Sequence, residues 1–139
     1  MNMRKQVDIS ELYDLLQERK DCYFICCDIM GMIPINEIAR AAGDLAIIEA
    51  MNRLYDAAEA EDVIFRIGGD EFAILTGSTD PEYAKQIADT IASHNKETFH
   101  YAGQDIPLSL YTSVVKLDNT KKYSQVFTSL HTTIQENKQ

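Results

Sequence analysis

The chain has 139 residues, enough for one domain around one core, and its 45% hydrophobic and 25% charged residues are ordinary for a globular protein. Asp and Glu outnumber Lys and Arg by 22 to 13, a formal charge of −9, which argues against a general nucleic-acid binder because phosphate backbones are held by basic patches. No run of about 18 apolar residues is present, and Met1-Asn2-Met3-Arg4-Lys5-Gln6 leads into a polar helix, so the expectation is a soluble, cytoplasmic protein without a membrane partner.

In chain order, Asp8 followed by Glu11 predicts a capped helix with Ile9, Leu12, Tyr13 and Leu16 as its apolar stripe, ending near Lys20. An apolar run over residues 22–29 reads as a strand, followed by a bend at residues 30–33. Pro34 suits the first turn of a second helix running to about Ala60, with Ile47, Ile48, Met51, Leu54, Tyr55 and Ala58 at helical spacing. Val63, Phe65 and Ile67 alternate with Ile64 and Arg66, and Phe72-Ala73-Ile74-Leu75 runs apolar to Gly77, so two strands flank Gly68-Gly69. A two-residue hairpin loop of the mirror-image type is expected there, with positive φ at both glycines.

Asp80-Pro81 reads as the cap and first residue of a third helix that turns Ala84, Ile87, Ala88 and Ile91 inward. Strand-like stretches follow at residues 98–101 and 106–116, and Val126, Leu130 and Ile134 mark a final helix. The expected fold class is α+β, with helices on one face of a mostly antiparallel sheet, and the whole of residues 1–139 reads as one domain. Cys22, Cys26 and Cys27 suit reduced core thiols better than a disulfide framework or a zinc site. His94, His100 and His131 show no ligand spacing to one another and read as surface or partly buried residues.

The richest stretch is Arg66-Ile67-Gly68-Gly69-Asp70-Glu71-Phe72, with two glycines and two adjacent carboxylates at a hairpin tip. Glycines leave a tip open to a ligand's phosphates, and Asp70 and Glu71 supply hard oxygen ligands for magnesium. Upstream stand a strand ending in Asp28-Ile29, then Ile35-Asn36, then Ala42-Gly43-Asp44. These elements, in this order, resemble the GGDEF family of diguanylate cyclase domains, well over about residues 22–76 and in outline elsewhere. The resemblance implies the palm-type fold of nucleotide cyclases and polymerases.

It also implies a site. Asp28, the backbone carbonyl of Ile29 and Asp70 would hold magnesium or manganese, and Glu71 would help with the metal or with the attacking hydroxyl. Gly68 and Gly69 would admit the phosphates, Asn36 and Asp44 would read guanine, and Lys138 would fall at a phosphate-contacting lysine. A divalent metal would bridge triphosphate and carboxylates, so the acidic balance is compatible with GTP. Catalysis in the family takes a homodimer with one GTP on each copy, giving cyclic di-GMP.

The sequence also departs from the family pattern. One residue is missing between Asn36 and Asp44, and Arg40-Ala41 stands where a Gly-His pair is usual. Met30 and Met32 replace an aspartate and a phenylalanine, and the family's Asp-x-Leu-Thr-Gly-Leu-x-Asn-Arg segment is absent. On a continuous helix one deleted residue turns the following face by ~100°, so Asn36 and Asp44 are at risk of diverging. Glu59 stands where the Arg-x-x-Asp product-inhibition pair ending at Asp62 would have its arginine, and no inhibitory site is expected. Two readings therefore stand: an active cyclase, or a catalytically degenerate domain that binds GTP or a protein partner as a regulatory module.

Overall fold

A computed structural model describes residues 5–137 of the chain. It opens with a two-residue strand, β1 (Lys5–Gln6), too short to leave a periodic signal in sequence. Helix α1 (Ile9–Glu18) begins where a cap was expected: the Asp8 carboxylate accepts from the Glu11 N–H at 2.9 Å, which satisfies one of the orphan donors of the first turn. Leu12 and Leu16 are buried, whereas Tyr13 stays 48% exposed; the Ile9 side chain lies outside the described residues.

Strand β2 (Tyr23–Ile29) explains why residues 22–29 lack polar alternation. Ile25, Cys27 and Ile29 face one apolar layer, and Phe24 and Cys26 face another. Helices therefore cover both faces of the sheet, not one as expected. A strand buried on both sides reads as a continuous apolar run, and such a run does not reveal that there are two cores.

The single helix expected from Pro34 to about Ala60 is two helices, α2 (Met32–Ile38) and α3 (Arg40–Ala57). Ala39 between them is extended, at φ −171° and ψ 153°, and its carbonyl accepts from the N–H groups of Ala42 and Gly43 at 3.1 and 3.3 Å. The break lets α2 fold back on α3 and bury Ile35, which a straight rod could not do. The buried stripe of α3 is Ala42, Ala46, Ala50 and Leu54; Ile48, one of the apolar residues at helical spacing, is 56% exposed.

Strands β3 (Val63–Arg66) and β4 (Glu71–Leu75) pair antiparallel, with Arg66 opposite Phe72. Helix α4 (Pro81–Ser93) starts on Asp80, whose carboxylate accepts from the Glu82 N–H at 2.9 Å, and it buries Ala84, Ile87, Ala88 and Ile91 as its spacing predicts. The strand-like stretch expected at 106–116 is divided: β5 (Thr98–Tyr101) and β6 (Gln104–Pro107) form a separate hairpin, and β7 (Leu110–Lys116) joins the main sheet. Two side chains pin the division. The buried Arg53 guanidinium donates to the carbonyls of Leu108 at 2.7 Å and Glu97 at 2.9 Å. The Asn95 amide bonds both backbone groups of Leu110, at 2.9 and 3.1 Å.

Helix α5 (Tyr123–Asn137) buries Val126, Leu130 and Ile134, as expected. Its Phe127 lies edge-on to Phe65, with ring centroids 6.0 Å apart, and Phe65 lies edge-on to Phe24 at 6.1 Å. The sheet order is β1-β3-β4-β2-β7, antiparallel except for the β1–β3 pair. The fold is α+β, with α2, α3 and α4 in the layer on one face and α1 and α5 on the other. Among the described residues no helix is long and apolar enough to cross a membrane.

Candidate functional site

The end of β2 and the β3–β4 tip lie side by side, as the family pattern implied. The Ile29 N–H donates to the Asp70 carbonyl at 3.2 Å, and Asp28 stands directly opposite Glu71 in the ladder. On the other side of β2, the Met30 N–H donates to the Ser109 carbonyl at 2.9 Å, so the strand end is held from both flanks. Asp28 is 1% exposed, and Asp70 is partly exposed in the loop.

The loop itself differs from the expected two-residue turn. Residues 67–70 lie between the strands, closed by the N–H groups of Ile67 and Gly68 on the Glu71 carbonyl at 2.8 and 3.3 Å. Neither Gly68 nor Gly69 has positive φ; among the described residues that conformation belongs to Gly31 and Gly103 of the glycines. The longer loop removes the need for a mirror-image turn, and Gly68 instead leaves room for the Glu71 carboxylate in its present position. A Cβ there would come within 2.7 Å of Glu71 Oε1, whereas at Gly69 it would meet nothing within 4 Å. Arg66 braces the loop by donating from Nε to the carbonyls of Gly68 at 2.9 Å and Gly69 at 3.1 Å, and from its Nη2 to Gly69 as well. Its guanidinium also sits 5.8 Å from the centre of the Phe72 ring.

Two adjoining clefts open at this end of the sheet. The larger, of about 510 Å³, is lined by Asn36, Arg40, Asp44, Arg66, Gly69 and Asp70, with Met32, Ile33 and Ile47 as apolar walls. The smaller, of about 280 Å³, is lined by Asp28, Ile29, Gly31, Pro34, Asp70 and Tyr111, and shares Met32, Ile33 and Asp70 with the first. Asn36 and Asp44 thus face one space despite the deleted residue, because the break at Ala39 absorbs the rotation that a continuous helix would have imposed. Gly43 makes that approach possible: a Cβ on it would fall 1.8 Å from Asn36 Oδ1.

Glu71 is placed differently from the other carboxylates. It is 5% exposed and lines neither cleft; its Oε1 lies 3.1 Å from His131 Nδ1, and its Oε2 accepts from Gln135 Nε2 at 2.8 Å, both side chains coming from α5. Its charge is felt by Cys26, whose thiol is pushed up to about 12 by burial first and by Glu71 second. Burial, with Cys26 and Asp28 adding, raises Cys27 well above the usual thiol range, so neither cysteine is a nucleophile at neutral pH. Lys138 lies outside the described residues.

Magnesium prefers hard oxygen donors and is commonly held by one or two carboxylates together with substrate phosphates, not by an all-protein cage. Asp28 and Asp70 around the smaller cleft, with the Ile29 carbonyl, fit that donor set. Among the described residues no group of three or more His, Cys, Asp or Glu could hold a metal ion unaided. Asp62, the remaining acid of the family's inhibitory pair, is fully buried in a turn. It accepts from the N–H groups of Glu59 at 2.8 Å and Gly77 at 3.0 Å, and from the Tyr83 hydroxyl at 2.6 Å.

The residues that sequence reasoning left without a role are Arg40, Arg66, Tyr111, His131 and Gln135. His131 and Gln135 sit four apart, hence on one helix face, but nothing local to α5 says that this face meets Glu71.

Residues 4–139 match the family described as Diguanylate cyclase, GGDEF domain. The chain is 28% identical over 83 residues, 59% of its length, to the bifunctional diguanylate cyclase/cyclic di-GMP phosphodiesterase MucR of Pseudomonas aeruginosa. It is 31% identical over 94 residues, 67% of its length, to the probable diguanylate cyclase DgcJ of Escherichia coli. The matched parts make up only 12% and 18% of those two proteins, so the chain corresponds to a small part of each. In structure it is similar to the diguanylate cyclase SiaD of Pseudomonas aeruginosa, solved in complex with its activator SiaC. The TM-score is 0.80 at 17% identity, covering 93% of this chain and 54% of that one. The chain belongs to the GGDEF family, and its five-stranded sheet with helices on both faces is the palm-like cyclase fold of that family.

Proposed function

We propose that the chain is a single diguanylate cyclase-type domain that binds GTP and magnesium and, paired with a second copy, condenses two GTP into cyclic di-GMP. The observation that carries this reading is the continuity of the two clefts through Asp70. A purine fits the larger one against Asn36 and Asp44, and its triphosphate then runs to the smaller one beside Asp28 and Ile29. Asp44 accepts from guanine N1–H and the exocyclic amine, a donor pair that adenine does not offer, and Asn36 adds an amide to the same edge. Gly69 presents bare backbone to the phosphates. Asp28, Asp70 and the Ile29 carbonyl would hold the metal, which when bound neutralises the triphosphate and polarises the attacked phosphorus. Glu71 is assigned to the attacking 3′-hydroxyl, and the second GTP comes with the second copy because the end of β2 and the β3–β4 tip form one such pair of clefts.

A second reading is favoured by Glu71 itself. Its carboxylate is held by His131 and Gln135 and lines neither cleft, which suits a domain that binds nucleotide and turns over none. Incubation of the protein with GTP and magnesium, followed by assay for cyclic di-GMP and by calorimetric titration with GTP, separates the two. Product supports the enzyme; binding without product supports the regulatory module; no binding removes both.

A further inference from the structure

The larger cleft carries a cation that the family pattern does not provide at this place. Arg40 is the first residue of α3, is exposed, and lines the cleft together with Asn36 and Asp44. Arg40 and Asp44 are four apart on one helix, so both project from the same face, a fork of donors beside an acceptor. That pattern is complementary to one purine and opposed to the other. Guanine offers O6 and N7 as adjacent acceptors next to the N1–H and amine donors, and arginine matches O6 and N7 bidentately. Adenine replaces O6 with an amino group, which would set donor against donor at Arg40. The apolar walls Met32, Ile33 and Ile47 give the base faces to lie against, and they carry no hydrogen-bonding information of their own.

We infer that Arg40 is a specificity-determining residue that reads the O6 and N7 edge of guanine while Asp44 reads N1–H and the amine. This rests on the proposal that the cleft takes GTP, and it assigns a recognition role to the position where relatives carry a Gly-His pair. The break at Ala39 is what makes it available: it starts α3 at residue 40 and so sets this side chain on the rim of the cleft.

The test is equilibrium binding of GTP, 7-deaza-GTP and ATP, each with magnesium, to the wild type, Arg40→Met and Arg40→Lys, with circular dichroism to verify the fold of each variant. In the wild type GTP is expected to bind tighter than 7-deaza-GTP, and both tighter than ATP. In Arg40→Met the GTP preference over ATP should fall about tenfold, the lower part of the range for a bidentate base contact. The difference between GTP and 7-deaza-GTP should vanish, and ATP affinity should hold or rise because the opposed donor is gone. Arg40→Lys keeps the charge and a donor but not the planar fork, so it should retain only part of the distinction between GTP and 7-deaza-GTP. An equal loss for all three nucleotides in Arg40→Met would identify a phosphate contact and overturn the inference, as would an unchanged GTP-to-ATP ratio. A wild type that binds none of the three would instead overturn the assignment of the cleft to GTP, a result distinguishable from failure at Arg40 alone.

Discussion

Asp28 and Glu71 face each other across the β2–β4 ladder, 1% and 5% exposed, and side chains so paired point to the same face of a sheet. Glu71 meets α5 through His131 and Gln135, while Asp28 lines the smaller cleft with Asp70. Two acids at opposed positions thus serve different surroundings, one bonded to α5 and the other at the cleft.

Removing one partner of a buried carboxylate leaves desolvated oxygen without a donor, which costs about 1–3 kcal/mol. Gln135→Leu should therefore lower stability by an amount in that range and reduce the denaturant midpoint correspondingly. Pairing it with Glu71→Gln should recover part of the loss, since the oxygen left behind is then neutral. A midpoint unchanged in Gln135→Leu would mean that water replaces the amide and that the contact contributes nothing.

Gly43→Ala tests the route by which Asn36 reaches the cleft. The added Cβ would occupy the position of the Asn36 amide oxygen, at 1.8 Å, but that oxygen is the end of a flexible side chain. Asn36 should swing away and the helix should survive; Ala in place of Gly within a helix even contributes about 0.5–1 kcal/mol. The expected result is a protein at least as stable as wild type with weaker GTP binding. Equal GTP affinity in the two, measured by calorimetry, would show that Asn36 does not touch the nucleotide.

Much of this arrangement was legible in the sequence where a local rule determines it. The caps at Asp8 and Asp80, the inward faces of α4 and α5 and the β3–β4 strands follow from periodicity and capping chemistry. The chain order of Asp28, Asn36, Asp44 and Gly68 to Glu71 was enough to suggest the family. What escaped was set by tertiary contact. The break at Ala39 depends on α2 folding onto Gly43, and alanine carries no local signal for a helix break. The Gly68-Gly69 turn was misassigned because two glycines equally suit a mirror-image turn and a longer loop shaped by Arg66 and the Glu71 side chain. The contact of His131 with Glu71 joins residues 60 apart in sequence.

The proposed metal role of Asp28 and Asp70, which share one cleft, is tested by ligand-linked stability. Magnesium or manganese together with GTP should raise the thermal midpoint of the wild type, because a ligand confined to the folded state stabilises it by mass action. At a free concentration a hundred times the dissociation constant, that linkage amounts to about 2.7 kcal/mol. The Asp28→Ala/Asp70→Ala variant should show little shift. The same shift in both proteins would place the metal elsewhere.

Under the proposed function catalysis should depend on association, because one copy would hold one GTP and the reaction would need a second in the opposite orientation. Turnover per protomer is expected to rise with protein concentration and to rise further when two copies are tethered. Glu71→Gln keeps the shape of the side chain and removes its charge, so it should abolish product while the circular dichroism spectrum stays that of the wild type. Gln135→Leu offers the complementary control: it frees one oxygen of Glu71 from α5 and leaves the carboxylate in place. If the grip of α5 holds back the acid, tethered Gln135→Leu should make product faster than tethered wild type; if it orients the acid, slower. Tethered wild-type copies that yield no cyclic di-GMP above the Glu71→Gln background, with GTP and magnesium saturating, would remove the cyclase proposal. The protein would then be assigned as a nucleotide-binding regulatory domain, provided that the calorimetric titration still detects GTP.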